Sequence, residues 1–276
     1  MNNLTVKAYE LRQDILDIVM KAQSGHIGGD MSVIDILVTL YFHEMKIDPS
    51  KPDDPNRDRF ILSKGHSVES LYAVLAAKGF LSLSEILNEI GTFGTKYIGH
   101  PNNKLPGIEM NSGSLGHGLS LSVGMALAGK MDQRDYRVYT VMGDGELAEG
   151  SVWEGAMAAA HYKLDNLCAI IDWNGLQISG TIDQVMAHKD MIGQWESFGW
   201  KVLCVNGNDI AELIKAFDQA RAVKGQPTII LAKTIKGYGS KVMEGKKEWH
   251  HKVPTILEYE QIKEELQQRK EAVCFE

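Results

Sequence analysis

The chain has 276 residues, 44% of them hydrophobic and 24% charged, the make-up of an ordinary globular protein with ample length for a buried core. A net charge of −7 argues against non-specific binding to nucleic acid or an anionic membrane, but not against phosphorylated substrates, which a few local cations can hold. No apolar run approaches membrane-spanning length, and MNNLTVKAYELRQ lacks the basic-then-apolar order of a signal peptide, so a cytoplasmic protein is expected.

Apolar residues at Leu4, Ala8, Leu11, Ile15, Ile18 and Val19 predict a long opening helix. It should stop at the glycine-rich loop Ser24 to Gly29, after which Ser32 is expected to cap a second, mostly buried helix. Arg59 to Leu62 reads as a short buried strand that ends in Ser63-Lys64-Gly65-His66, with a helix over VESLYAVLAAKG behind it. Ser84 is expected to cap one more short helix. An irregular stretch then runs from Gly91 to Gly118, long enough inside a compact domain to imply a functional role. SLSVGMALAGK, built of small residues, predicts a helix that packs closely on a neighbour.

Val138 to Leu176 reads as strand, helix, strand. The apolar run VYTVM ends in Gly143-Asp144-Gly145, and the run LCAII ends at Asp172, just before Asn174. Consecutive parallel strands end on the same edge, so Asp144 and Asn174 should emerge side by side where open α/β sheets bind ligands. One carboxylate and one amide oxygen suit Mg²⁺ or Ca²⁺ with phosphate oxygens and water completing the shell. Gly145 would let the backbone approach a phosphate, with the N–H groups of the following helix behind it. Gly-Asp-Gly and Asn-Gly are also common turn sequences taken singly. A short helix and a strand from Lys201 to Val205 follow. Asn208 or Asp209 then caps DIAELIKAFDQARAV, the strand PTIILAKT comes next, and a charge-rich helix from about Thr255 closes the chain. The alternation predicts an α/β fold, a parallel β-sheet with helices on both faces, as one domain over residues 1–276.

Three cysteines without Cys-x-x-Cys spacing read as reduced thiols, not as a zinc site or disulfide framework. Of nine histidines, His26, His66, His100 and His250 fall in loops, where an imidazole can transfer protons near neutral pH or donate to phosphate and hydroxyl oxygens. Scattered single histidines also serve as surface or capping residues.

Ser24-Gly25-His26, Leu62-Ser63-x-Gly65-His66, Gly99-His100-Pro101, Pro106-Gly107-Ile108-Glu109, Leu115-Gly116-x-Gly118, Gly143-Asp144-Gly145 through Glu149-Gly150, Trp153-Glu154, Asn174 and Trp249-His250 together resemble transketolase motifs, in that family's order, from about residue 20 to 255. Departures are Ile27, where transketolases usually carry proline, and His117, where glutamine is common.

The resemblance implies a thiamine diphosphate-binding fold in which Mg²⁺ (or Ca²⁺) is held by Asp144, Asn174 and the carbonyl of Leu176. Gly145, His66 and the segment Ser114, Leu115, Gly116 would meet the cofactor. Glu149, grouped with them, corresponds to a glutamate that links active sites across the family's dimer interface. His26, His100 and His250 would be the catalytic histidines facing the substrate's hydroxyls and reacting carbon. The implied reaction moves a two-carbon ketol unit from a ketose phosphate to an aldose phosphate, as in the pentose phosphate pathway.

A full-length transketolase continues into a second domain, which binds the aminopyrimidine, and a third. The expectation is therefore the N-terminal subunit of a split transketolase. It would require a C-terminal subunit carrying the pyrimidine-binding domain, two copies of each, and no membrane or nucleic-acid partner. The alternatives are a 1-deoxyxylulose-5-phosphate synthase-like or 2-oxo-acid dehydrogenase α subunit, and a non-catalytic diphosphate-binding regulatory subunit.

Overall fold

Five short runs, most of them apolar enough to be buried on both faces, form one parallel sheet in the computed structural model, which describes residues 2–275. They are β1 (Arg59–Leu62), β2 (Val138–Gly143), β3 (Leu167–Trp173), β6 (Lys201–Asn206) and β7 (Thr228–Lys233), in the order β1-β2-β3-β7-β6. Every adjacent pair is parallel, and β2 and β3 register Gly143 against Asp172. The sheet predicted from the alternation of elements is therefore present, with the strand–helix–strand unit at its centre.

Side chains alternate across the strands and build two cores. Tyr139, Val141, Cys168, Ile170, Ile230 and Ala232 pack under α1 (Asn2–Ala22), α2 (Ile27–Thr39), α3 (Val68–Lys78), α9 (Ile210–Ala222) and α10 (Ile256–Phe275). Val138, Met142, Ala169, Ile171, Ile229 and Leu231 pack under α5 (His117–Met131), α6 (Gly150–His161) and α8 (Met191–Ser197). Each fully buried Ile, Leu or Val contributes on the order of 2 kcal/mol. The small residues of α5 permit close approach: a Cβ on Gly129 would meet the Tyr136 ring at 2.8 Å.

Several boundaries differ from expectation. α2 begins at Ile27, not after Ser32, so Gly28 and Gly29 lie in its first turn. Its end widens into a π-helical turn, Leu40–Glu44. The short helix α4 (Leu83–Glu89) is capped by Ser82, whose hydroxyl accepts from Glu85, not by Ser84. A 3₁₀ turn, Gly145–Ala148, separates β2 from α6, so no α-helix N-terminus stands directly behind Gly145. The polar loop after β3 folds into a small hairpin, β4 (Leu176–Gln177) with β5 (Gly180–Thr181), and a short helix α7 (Ile182–Val185). Asp209 caps α9 by accepting from Ala211 and Glu212. Among the described residues no helix is long and apolar enough to cross a membrane.

Candidate functional site

The C-terminal edge of the sheet gathers the loops after β1, β2, β3 and β7 around a cleft of about 330 Å³. One end of it is made of oxygens. Asp144, 2% exposed, accepts from the Gly145 N–H at 2.8 Å and from the Gly175 N–H at 2.6 Å, so the two strand ends are tied together as their register predicts. Asn174 Oδ1 accepts from the Leu176 N–H at 3.1 Å, and the Leu176 carbonyl accepts from Lys236 Nζ at 3.1 Å. These oxygens keep a lone pair each. Burial, and then the nearby Asp172, push the Asp144 carboxyl up to about 6, against the backbone hydrogen bonds that lower it.

The floor is a buried ionic network that the sequence did not reveal. Asp172, fully buried, accepts from Lys64, from Ser32 at 2.6 Å and from Thr234. Burial alone would raise its pKa, but the Lys64 ammonium and these hydrogen bonds outweigh that and hold the carboxyl below its ordinary value. Lys64 also donates to the Gly29 carbonyl at 3.2 Å, which fixes the first turn of α2 to the end of β1. Lys236, 2% exposed, is lowered to about 8, first by burial and then by Lys64. An anion entering the cleft would meet both ammonium groups.

Glu146 performs a different task. Its Oε1 accepts from Ser63 and from the Gly116 N–H at 2.8 Å, while Oε2 accepts from the Gly143 N–H at 3.1 Å. One buried carboxylate thereby joins the ends of β1 and β2 to the 112–118 loop. Gly116 has φ +84, in the left-handed region that glycine tolerates best.

The opposite end of the cleft is made of imidazoles. The His26 ring lies 5.1 Å from His66 and 5.5 Å from His250, and His66 lies 5.3 Å from His250. His251 adds a fourth ring, 4.6 Å from His26. Burial is the main cause that lowers His26 to about 4 and His250 to about 3, with neighbouring cationic groups adding to it; His66 is lowered as well, chiefly by burial. At neutral pH His26, His66 and His250 are uncharged, and each can donate from one nitrogen and accept at the other. His250 Nδ1 is buried without a hydrogen-bond partner.

Of the residues singled out from sequence, His26, His66, His250, Leu115, Asp144, Gly145, Asn174 and Leu176 line this one cleft. Gly116 is buried behind Leu115, and Ser114 is exposed beside it. His100 is exposed and stands against Gly113, where a Cβ would meet its Cδ2 at 2.3 Å. Glu149 lies outside the cleft, exposed at the start of α6. Lys64, Lys236, Glu146 and Asp172 were missed. The available signal was their position: each is a charged residue within three positions of a strand end.

Among the described residues no three His, Cys, Asp or Glu side chains converge on a metal position. The oxygen set Asp144, Asn174 and Leu176 instead suits a hard cation whose remaining ligands come from a bound anion.

The chain has relatives among known proteins. The family model described as "Transketolase, thiamine diphosphate binding domain" matches residues 3–272. The chain is 48% identical over 269 residues to one of the subunits of the apulose-4-phosphate transketolase of Phocaeicola vulgatus, covering 98% of this chain and 95% of the relative. It is 41% identical over 250 residues to the 6-deoxy-6-sulfo-D-fructose transketolase subunit SqwG of Clostridium sp., covering 90% of each. It is also 44% identical over 262 residues to human transketolase, covering 94% of this chain and 41% of that one. The solved transketolase of Campylobacter jejuni matches with a TM-score of 0.91 at 32% identity, covering 99% of this chain and 46% of that chain. The chain thus spans less than half the length of these two full transketolases.

Proposed function

Because the chain belongs to the transketolase family, matching its thiamine diphosphate binding domain, we propose that the cleft holds the diphosphate end of thiamine diphosphate with a divalent cation, as one subunit of a ketol-transferring enzyme. The observation that carries this reading is the composition of the cleft: oxygen donors at one end, neutral imidazoles at the other, and two buried ammonium groups between.

Asp144, Asn174 Oδ1 and the Leu176 carbonyl would hold Mg²⁺ or Ca²⁺, each through its remaining lone pair. Lys236 and the Gly145 backbone would meet the diphosphate, and Leu115, Gly116, Ser114 and His66 would border the rest of the cofactor. The orphaned His250 Nδ1 supports a polar occupant, since a buried donor or acceptor left unpaired costs roughly 1–3 kcal/mol. When bound, thiamine diphosphate supplies the nucleophilic carbon and the electron sink. This chain's residues then move protons. His26 and His250 would accept a proton from a ketose hydroxyl as the carbon–carbon bond breaks, and return one to the carbonyl oxygen of the acceptor aldose. His100, at the rim, would contact the substrate's hydroxyls. Glu149, exposed beside Gly116, would act across the interface between active sites.

The whole of residues 1–276 would then serve as one cofactor-anchoring domain in a cytoplasmic enzyme of sugar-phosphate interconversion, with the aminopyrimidine end bound by a C-terminal subunit in an assembly of two copies each. Relatives of matching length that carry subunit names support the need for a partner. The test is to purify the chain, both alone and together with its pyrimidine-domain partner, and to assay ketol transfer from xylulose 5-phosphate, with pyruvate as the contrasting donor. Transfer only in the mixture is the expected result. Full activity in the isolated chain, or a preference for pyruvate, would overturn the reading.

A further inference from the structure

Beneath the histidine cluster lie two carboxyl groups that the proposed reaction does not use. Asp30, in the first turn of α2, is fully buried, and Glu69, in the first turn of α3, is 3% exposed. Asp30 Oδ1 accepts from the Ser70 N–H at 2.9 Å, so the α2 carboxyl grips α3. Glu69 reaches back: its Oε1 sits where a Cβ on Gly25, the residue before His26, would meet it at 3.1 Å. The two carboxyl groups lie close enough for each to shift the other's titration, and Asp30 Oδ2 and Glu69 Oε2 are buried without a hydrogen-bond partner. The cation that faces them, Lys64, is already committed to Asp172 and to the Gly29 carbonyl. Val19 of α1, packed against Gly25, brings no charge.

Two adjacent buried carboxylates cannot both ionise, because like charges repel strongly where burial has removed the water that would screen them. One proton between them turns one group into a donor and satisfies both orphaned oxygens. We infer that Asp30 and Glu69 share a single proton, and that this hydrogen bond is a positioning clamp that holds the turn bearing His26 at its 5.1 Å spacing from His66. Burial pushes Asp30 up to about 7, and burial together with the Asp30 charge pushes Glu69 well above the carboxylate range, which agrees with one retained proton at neutral pH. As pH rises, that proton leaves to water, two like charges face each other, and the clamp opens. The folded pair binds its proton more tightly than the unfolded chain does, so its stabilisation falls as pH climbs from the ordinary carboxylate range to the raised one.

The test uses the intact chain without cofactor, so it stands whether or not ketol transfer is the activity. Infrared spectra of wild type, Glu69→Gln and Asp30→Asn near neutral pH should show one protonated-carboxyl band in wild type that is lost in both variants, since either amide supplies the donor in place of the shared proton. Absence of the band in wild type, or its survival in Asp30→Asn, would overturn the sharing; should one variant fail to fold, the other decides. The His26 ring resonance should move at alkaline pH in wild type by more than in Glu69→Gln, where only neighbours such as Lys236 still titrate. Identical curves in the two proteins would overturn the clamp.

Discussion

Lys236 donates to the carbonyl of Leu176 at 3.1 Å, so an ammonium group already sits on one of the three oxygens assigned to the cation. Cation and lysine must share that oxygen, or the lysine must swing to the diphosphate. Loss of one charge-assisted hydrogen bond is worth about 1.5–3 kcal/mol. Lys236→Gln should therefore weaken thiamine diphosphate binding by roughly tenfold to a hundredfold, read by calorimetry in the presence of Mg²⁺. An unchanged affinity would remove Lys236 from the diphosphate site.

Three protein oxygens are too few for Mg²⁺ or Ca²⁺ alone. Each of cation and diphosphate should bind poorly by itself and strengthen the other by the same factor, since binding linkage is reciprocal. Titrations of each ligand with and without the other should give equal ratios of at least about tenfold. Chelation should release the cofactor, and either hard cation should restore it. A diphosphate affinity indifferent to chelator would refute the metal assignment.

The lowered histidines fix the sign of an acid response. His26 at about 4 and His250 at about 3 bind fewer protons in the folded chain than in the unfolded one, whose imidazoles titrate near 6.5. Their share of stability is complete above that value and is lost as pH falls towards 4 and then 3. Thermal scans from pH 7 to 4 should show His26→Asn or His250→Asn losing less of its melting temperature than wild type. An equal loss would mean that the acid response arises elsewhere.

Glu146 joins Ser63, Gly116 and Gly143 through one buried carboxylate. Truncation leaves two N–H groups and a hydroxyl without their acceptor, so Glu146→Ala should cost roughly 2–5 kcal/mol in urea unfolding. Hydrogen exchange at Gly116 should accelerate with it. A cost near zero would show that the 112–118 loop is held by other contacts.

What was legible in the sequence was what obeys local rules. The runs VYTVM, LCAII and TIILA read as strands because a strand buried on both faces is apolar throughout, and Asp144 and Asn174 followed from where parallel strands end. The start of α2 was not legible. Gly28 and Gly29 read as helix-breaking, yet they sit inside the helix because other parts of the chain crowd there: a Cβ on Gly28 would meet the Trp249 carbonyl oxygen at 2.5 Å, and one on Gly29 the Ser67 hydroxyl at 2.8 Å. Ser32, read as a cap, donates instead to Asp172, 140 positions away. Lys64 and Glu146 escaped notice because charge in a turn normally means solvent, and only the packed fold makes them internal.

The contact between α1 and α10 bears on the order in which the molecule is made. Tyr259 donates to Asp17 at 2.6 Å across 242 positions, and Gln13 and Gln267 meet beside them. During synthesis α1 emerges early and lacks this partner until nearly all of the described chain has left the ribosome. The pairing of Arg59 with Val138 imposes a similar delay on β1. Distant contacts slow folding and lengthen the time for which apolar faces are exposed. The nascent chain is thus a natural client for chaperones.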